Sequence, residues 1–196
     1  MTRIIAGSSR GRRLAVPQSG VRPTADRVRE ALFSAIESRV GPLGGLRMLD
    51  LYAGSGAVGL EALSRGAAHV LLVERDRKAL EGVRANVAAV GLPNAVVLGA
   101  DVSSLTSSAP PTSAVAPYDV VFLDPPYELG DDVVEPVLGG LARNGWLGEG
   151  SLVVVERARR RSGLTWPEGY EPGRDRDYGD TRVRTALWYG REAATA

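Results

Sequence analysis

The sequence predicts an α/β fold, a doubly wound and mostly parallel sheet, with an N-terminal β-hairpin and helix as an appendage. Three observations predict it. From residue 48 onward short apolar runs alternate with amphipathic segments, the pattern of strands buried on both faces and covered by helices. A glycine-rich turn follows the first of these runs and opens the first helix. Before residue 48 the texture differs, with an arginine-rich turn and one helix of its own.

In chain order, "MTRIIAGSSRGRRLAV" reads as two short strands around a "GSSRG" turn, a hairpin with arginines at its tip. In "VRPTADRVREALFSAIESRV", Thr24 is placed to cap a helix, and Val28, Ala31, Leu32, Ala35 and Ile36 follow helical spacing on one apolar face. "RMLDLY" (47–52) is the first sheet strand, "AVGLEALSR" (57–65) a helix and "HVLLVE" (69–74) the second strand. "RKALEGVRANVAAV" (77–90) is a helix, "AVVLGA" (95–100) the third strand and "YDVVFL" (118–123) the fourth. "DDVVEPVLGGLA" (131–142) is a helix despite Pro136, "SLVVVE" (151–156) the fifth strand, and "DTRVRTALWYG" (180–190) a closing strand. The Ser/Pro/Ala segment at 106–117 is expected to be a mobile surface loop, and "ERARRRSG" (156–163) a basic turn. There is no internal repeat.

At 196 residues the chain is long enough to bury a core of its own. Net charge is +1, but residues 1–24 hold Arg3, Arg10, Arg12, Arg13 and Arg22 with no acid, whereas residues 40–150 hold seven basic and thirteen acidic residues. A basic arm on an acidic body suits a polyanionic partner, as it also suits a solvated tail in a chain with a single lysine, Lys78. The absence of cysteine excludes a disulfide framework and a thiolate metal site, and with His69 the lone histidine no metal is expected. No apolar run reaches membrane-spanning length and the N-terminus lacks a signal-peptide pattern, so a cytoplasmic protein is expected.

"DLYAGSGAVGLEAL" places Gly54, Gly56 and Gly59 after a strand and at the start of a helix, and Glu74 ends the next strand twenty residues after Gly54. Glycines admit a close ligand, and an acid at that position accepts hydrogen bonds from ribose hydroxyls, so a nucleotide-like cofactor is expected. Asp50 before the loop repels a pyrophosphate and attracts the cationic amino acid end of S-adenosylmethionine. Asp101, after the third strand, is placed to accept from an adenine amine. A sheet order of 3-2-1-4-5 would bring the first and fourth strands together, with ligands at their carboxyl ends.

The fourth strand runs into "DPPY", Asp124 to Tyr127. Two prolines donate no ladder hydrogen bond, so the chain leaves the sheet in a stiff turn. A nucleobase amine is a poor nucleophile because its lone pair is delocalised. Asp124 and the Pro125 carbonyl each accept one amine hydrogen, Pro126 stiffens the turn, and Tyr127 offers a face for the base to stack on. Without the acid and the glycine loop, the same letters describe a proline turn beside a core tyrosine.

Together "RIIAG…RGRRL…RPTADRVREALF", "LDLYAGSGAVGLEALSRGA", "DPPY" and "YGDT" (178–181) make the chain resemble the RsmD family, across nearly its whole length. These are S-adenosylmethionine-dependent guanine-N2 methyltransferases of bacterial small-subunit (16S) ribosomal RNA, with a class I, Rossmann-like methyltransferase fold. The resemblance implies a hairpin arm at 1–20 that binds RNA, a methyltransferase domain at 21–190 and a tail at 191–196. It implies that Asp50, Tyr52, Ala53, Gly54, Ser55, Gly56, Glu74, Arg75, Asp101 and Val102 hold S-adenosylmethionine. Asp124, Pro125, Pro126 and Tyr127 would hold the guanine, and Arg3, Arg10, Arg12, Arg13 and Arg22 the RNA phosphates. The implied substrate is 16S ribosomal RNA, in a 30S subunit or a late assembly intermediate, met by a monomer. The 106–117 loop and the arginine-rich turn depart from the family pattern. A DNA adenine-N6 methyltransferase shares "DPPY", a non-catalytic RNA-binding module shares the arginine arm, and a nicotinamide oxidoreductase shares the glycine loop.

Overall fold

The computed structural model describes residues 2–16, 26–126, 128–160 and 163–190. The chain divides into two compact units, Met1–Asp101 and Val102–Ala196.

The first unit opens with β1 (Thr2–Arg3) and β2 (Arg13–Leu14), which pair antiparallel around the expected turn. Then come α1 (Asp26–Val40), β3 (Arg47–Leu51), α2 (Ala57–Ser64), β4 (His69–Glu74), α3 (Arg77–Val90) and β5 (Ala95–Gly99). β3, β4 and β5 are parallel, in the order β5-β4-β3, which is the expected 3-2-1 half. The local chemistry explains the bounds of α3. Asp76 caps it by accepting from the Ala79 N–H at 2.9 Å, and Gly91 at φ 68° ends it.

α2 is buried on every side from Val58 to Ser64, so something must cover its outer face. The hairpin does. Glu61, at 0% exposure, accepts from the Ile5 and Ala6 N–H groups at 2.6 and 2.9 Å, and Ser64 Oγ accepts from the Ser9 N–H at 2.9 Å. Gly7, at φ 80°, lies so close to the Ser64 carbonyl that no side chain fits there. The hairpin is thus docked along its length, not a free arm.

That docking rotates α1 from its expected face. Val28 and Ala31 are only half-buried, while Arg29 and Phe33 are buried with Leu32, Ala35 and Ile36. Arg29 donates from Nη1 to Thr2 Oγ1 at 3.0 Å and from Nη2 to the Arg3 carbonyl and to Asp26. Its Nε lies 3.9 Å from Glu61, and Arg65 pairs with the same carboxylate at 2.8 Å while stacking on Phe33. Apolar periodicity does not register a buried ion network of this kind.

The second unit runs α4 (Val102–Thr106), β6 (Tyr118–Leu123), α5 (Asp131–Arg143), β7 (Leu147–Ala158), β8 (Tyr170–Pro172), β9 (Arg176–Tyr178) and β10 (Thr181–Trp188). β6 and β7 are parallel, the expected 4-5 half, and β10 returns antiparallel along β7 with β8 and β9 on its far side. The 106–117 segment is less free than expected. Thr106 closes α4, Asn144 donates to its carbonyl at 2.7 Å, and the Trp146 indole donates to the Ser108 carbonyl at 2.9 Å.

Candidate functional site

The glycine loop between β3 and α2 bends through left-handed backbone at Tyr52 (φ 63°), Gly54 (56°) and Gly56 (76°). For a tyrosine this is uncommon backbone, of the kind found at functional turns. A Cβ at Gly56 would come within 2.5 Å of Val83, and one at Gly59 within 2.5 Å of Leu72, so these glycines let α2 and its turn pack on α3 and β4.

Three acids surround the carboxyl ends of β3, β4 and β5. Glu74 Oε2 accepts from the Gly54 N–H at 2.9 Å, and Oε1 accepts from the N–H groups of Arg75 (2.8 Å) and Asp76 (2.7 Å). A carboxylate has about four acceptor positions, so one remains open, on Oε2. Asp50 is 1% exposed and its Oδ2 accepts from the Gly59 N–H at 2.9 Å, which places it beneath the loop and not at its mouth. Asp101 pairs with Arg75 at 3.0 Å. Ser55 is buried and Ala53 half-buried, and the Ser55 carbonyl accepts from Asn86 at 2.8 Å. Asn86 also exchanges two 2.8 Å hydrogen bonds with the backbone of Ala15, tying the hairpin's exit to the loop. Val102 is buried at the start of α4 in the second unit.

In the second unit β6 ends at Leu123 and the turn begins. Asp124 is half-buried, Pro125 buried and Pro126 exposed; Tyr127 lies outside the described residues. Pro126 accepts from the Leu129 N–H at 3.0 Å, which closes the turn. Arg157, 2% exposed on β7, holds the outgoing chain through the Leu129 carbonyl (2.7 Å) and Asp131 (2.9 Å). Burial pushes the Asp124 carboxyl up to about 7, against the pull of Arg157. Glu156, also on β7, is pushed up to about 8 by burial and by the charge of Asp124, with a hydrogen bond from Thr181 opposing.

The arm's arginines are split. Arg3, Arg10, Arg12 and Arg13 are all exposed, but Arg3 pairs with Asp26 at 3.1 Å and Arg12 donates to the Ala89 carbonyl at 3.1 Å. Arg22, like the expected cap Thr24, lies outside the described residues. Sequence reasoning passed over Glu61, Asn86, Glu156 and Arg157. A signal existed for Glu61, the one charge in an otherwise apolar helix, and for Glu156, an acid closing an apolar strand as Glu74 does.

The family model described as conserved hypothetical protein 95 matches residues 2–187, a span that takes in the hairpin, the glycine loop and the DPPY turn. The chain is 38% identical over 192 residues to ribosomal RNA small subunit methyltransferase D of Escherichia coli strain K12, covering 97% of this chain and 90% of that protein. The chain belongs to the RsmD family. An RsmD relative from Haemophilus influenzae, also named ribosomal RNA small subunit methyltransferase D, is 36% identical over 169 residues, 86% of this chain and 84% of that one. The solved structure of yhhF from Escherichia coli, provisionally named a methyltransferase, matches with a TM-score of 0.83 and 36% identity over 97% of this chain and 99% of its own. The parallel strands and their flanking helices form a Rossmann-like methyltransferase fold, as in this solved neighbour. Among the described residues, no helix is long and apolar enough to cross a membrane.

Proposed function

We propose that this protein transfers a methyl group from S-adenosylmethionine to the exocyclic N2 amine of a guanine in 16S ribosomal RNA, acting as a cytoplasmic monomer on an assembling 30S particle. The observation that carries the reading is near-full-length membership of a family whose curated members are named for methylation of small-subunit ribosomal RNA.

The residues fit the cofactor. Left-handed backbone at Gly54 and Gly56 turns the loop tightly at the end of β3, and the open acceptor position on Glu74 Oε2 suits a ribose hydroxyl. Asp50 shapes the loop through Gly59 and would add negative charge that favours the methionine ammonium, Asp101 would accept from the adenine amine, and Arg75 pairs with Asp101. When bound, S-adenosylmethionine supplies an electrophilic methyl on a sulfonium that leaves as a neutral thioether.

Asp124 and the Pro125 carbonyl draw on the two amine hydrogens and restore the nitrogen's lone pair, Tyr127 stacks the base, and the proline turn keeps the acceptors preorganised. Positive charge develops on the amine as the new C–N bond forms, the Asp124 carboxylate offsets it, and the surplus N–H proton leaves to Asp124 and from there to water. The exposed arginines of the 1–20 arm meet phosphates, which position the RNA without reading its sequence.

The test is nucleoside mapping of 16S ribosomal RNA by mass spectrometry, in cells with and without the protein. Loss of one N2-methylguanosine is expected, and an unchanged map would overturn the reading. Parallel incubation of the pure protein with labelled cofactor and duplex DNA tests the adenine-N6 alternative, where no incorporation is expected.

A further inference from the structure

Glu156 is an acid that the proposed reaction does not use. It is 6% exposed on β7, and its Oε2 has no hydrogen-bond partner among the described residues. A buried carboxylate in such surroundings is costly unless it is paired or protonated.

The strands around it identify its neighbours. The β6–β7 pairing ends at Leu123 opposite Val155, Asp124 and Glu156 are the next residues of the two chains, and the charge of Asp124 acts on Glu156. On the other side, Val183 of β10 stands opposite Glu156, and Thr181 supplies a hydrogen bond. The nearby cations are committed elsewhere. Arg157 holds Asp131 and the Leu129 carbonyl, Arg182 holds Asp177, and Arg184 holds Asp175 and the Leu164 carbonyl. The charged group that faces Glu156 is therefore another acid, Asp124.

Two carboxyls in this position hold one proton between them near neutrality, because burial and mutual repulsion disfavour the dianion. We propose that Glu156 is a positioning residue for the methyl-transfer step: it stays a neutral acid beneath the DPPY turn and donates a hydrogen bond to Asp124, keeping that carboxylate ionised and aimed at the target amine. The inference rests on the assignment of Asp124 as the amine's acceptor. The arrangement also explains why an acid, and not a hydrophobe, ends β7's apolar run. A leucine would pack there, but it would take that donor from the half-buried Asp124 carboxylate. The upward displacement of both groups, to about 7 and about 8, agrees with this sharing.

The experiment is single-turnover methyl transfer to 30S particles with saturating cofactor, from about pH 6 to about pH 9, for wild type, Glu156→Gln and Glu156→Leu. Glutamine still donates, so its acid limb should stay with wild type. Leucine does not, so its acid limb should move up by about one unit, read as a roughly tenfold loss at neutral pH that closes in alkali. Affinity for S-adenosylhomocysteine should match wild type in both variants. A leucine profile that overlays wild type, or that drops by one factor at every pH, would overturn the proposal. Infrared difference spectroscopy of the full chain tests it without any substrate: wild type should show a protonated-carboxyl band at neutral pH that Glu156→Gln lacks, and absence of that difference also overturns it. If wild type methylates nothing while the band behaves as expected, the substrate assignment has failed and the shared proton stands.

Discussion

Glu61 and Glu156 are both buried acids, one in each unit, at 0% and 6% exposure. Glu61 meets two backbone N–H groups and two arginines, so both of its oxygens are occupied. Glu156 has a hydrogen bond from Thr181 and lies under the charge of Asp124. Their neighbours repeat the contrast. Glu74 and Asp50 hold backbone N–H groups and fix the shape of the glycine loop, whereas Asp124 is raised by burial with only partial relief from Arg157. Around the glycine loop negative charge is used to hold the backbone still. At the DPPY turn it is left under-compensated, which suits the acceptor role proposed for Asp124.

The largest effect should come from breaking the compensated side. Glu61→Ala takes the carboxylate that pairs with Arg65 and lies beside the buried Arg29, leaving Arg29 with Asp26 as its acid, and takes the acceptor from the Ile5 and Ala6 N–H groups. Removing one partner of a buried pair typically costs about 3–5 kcal/mol. Urea denaturation should show that loss, with the hairpin amides losing protection from hydrogen exchange first. A variant as stable as wild type would mean that the hairpin is held by its apolar contacts alone.

A smaller effect is expected at the cofactor. Glu74→Ala removes the proposed ribose acceptor and should weaken binding of S-adenosylhomocysteine by roughly 1.5–3 kcal/mol, the range of a hydrogen bond to a charged group. Glu74→Gln separates the two roles of this side chain, because its amide oxygen still accepts from the Gly54 N–H. Calorimetry in which alanine binds like wild type would limit Glu74 to shaping the loop.

The contrast between the two regions was only half legible in the sequence. β4, α3 and β6 have the bounds their letters imply, since an apolar run or a capped amphipathic repeat decides them locally. The glycine loop and the DPPY turn were equally legible, because glycine and proline act on their own backbone. α4 was hidden in "VSSLT", which carries no helical periodicity, and β7 reaches Ala158 because β10 pairs with it there. What buries Arg29, and what sets Asp124 beside Glu156, is the meeting of segments 32 residues apart in each case, and no local pattern announces it.

The smaller of the two effects on stability sharpens the comparison most, because stability and activity should move in opposite directions. Asp124 has an ordinary value of 3.8 and a folded value near 7; for Glu156 these are 4.5 and about 8. Both are raised, so the folded chain binds these protons more tightly than the unfolded one. Their contribution to stability is fully present at about pH 4 and is lost as pH rises through about 8. Asp124→Asn removes one titration and lowers the other, since the Asp124 charge is part of what raises Glu156. The variant should therefore lose less stability with rising pH and melt higher than wild type near pH 8, by about 2–4 °C for each kcal/mol recovered in a chain of this size. Near pH 4 the difference should largely vanish. Asp177, drawn down mainly by its hydrogen bond from Arg182, works in the opposite direction but equally in both proteins, so it cancels in the comparison. In the same variant methyl transfer should fall by up to about 100–1000-fold, the loss typical of one preorganised electrostatic partner. Equal melting temperatures at about pH 8 would show that Asp124 is stabilised by its surroundings like Glu61, and the distinction between the two regions would collapse.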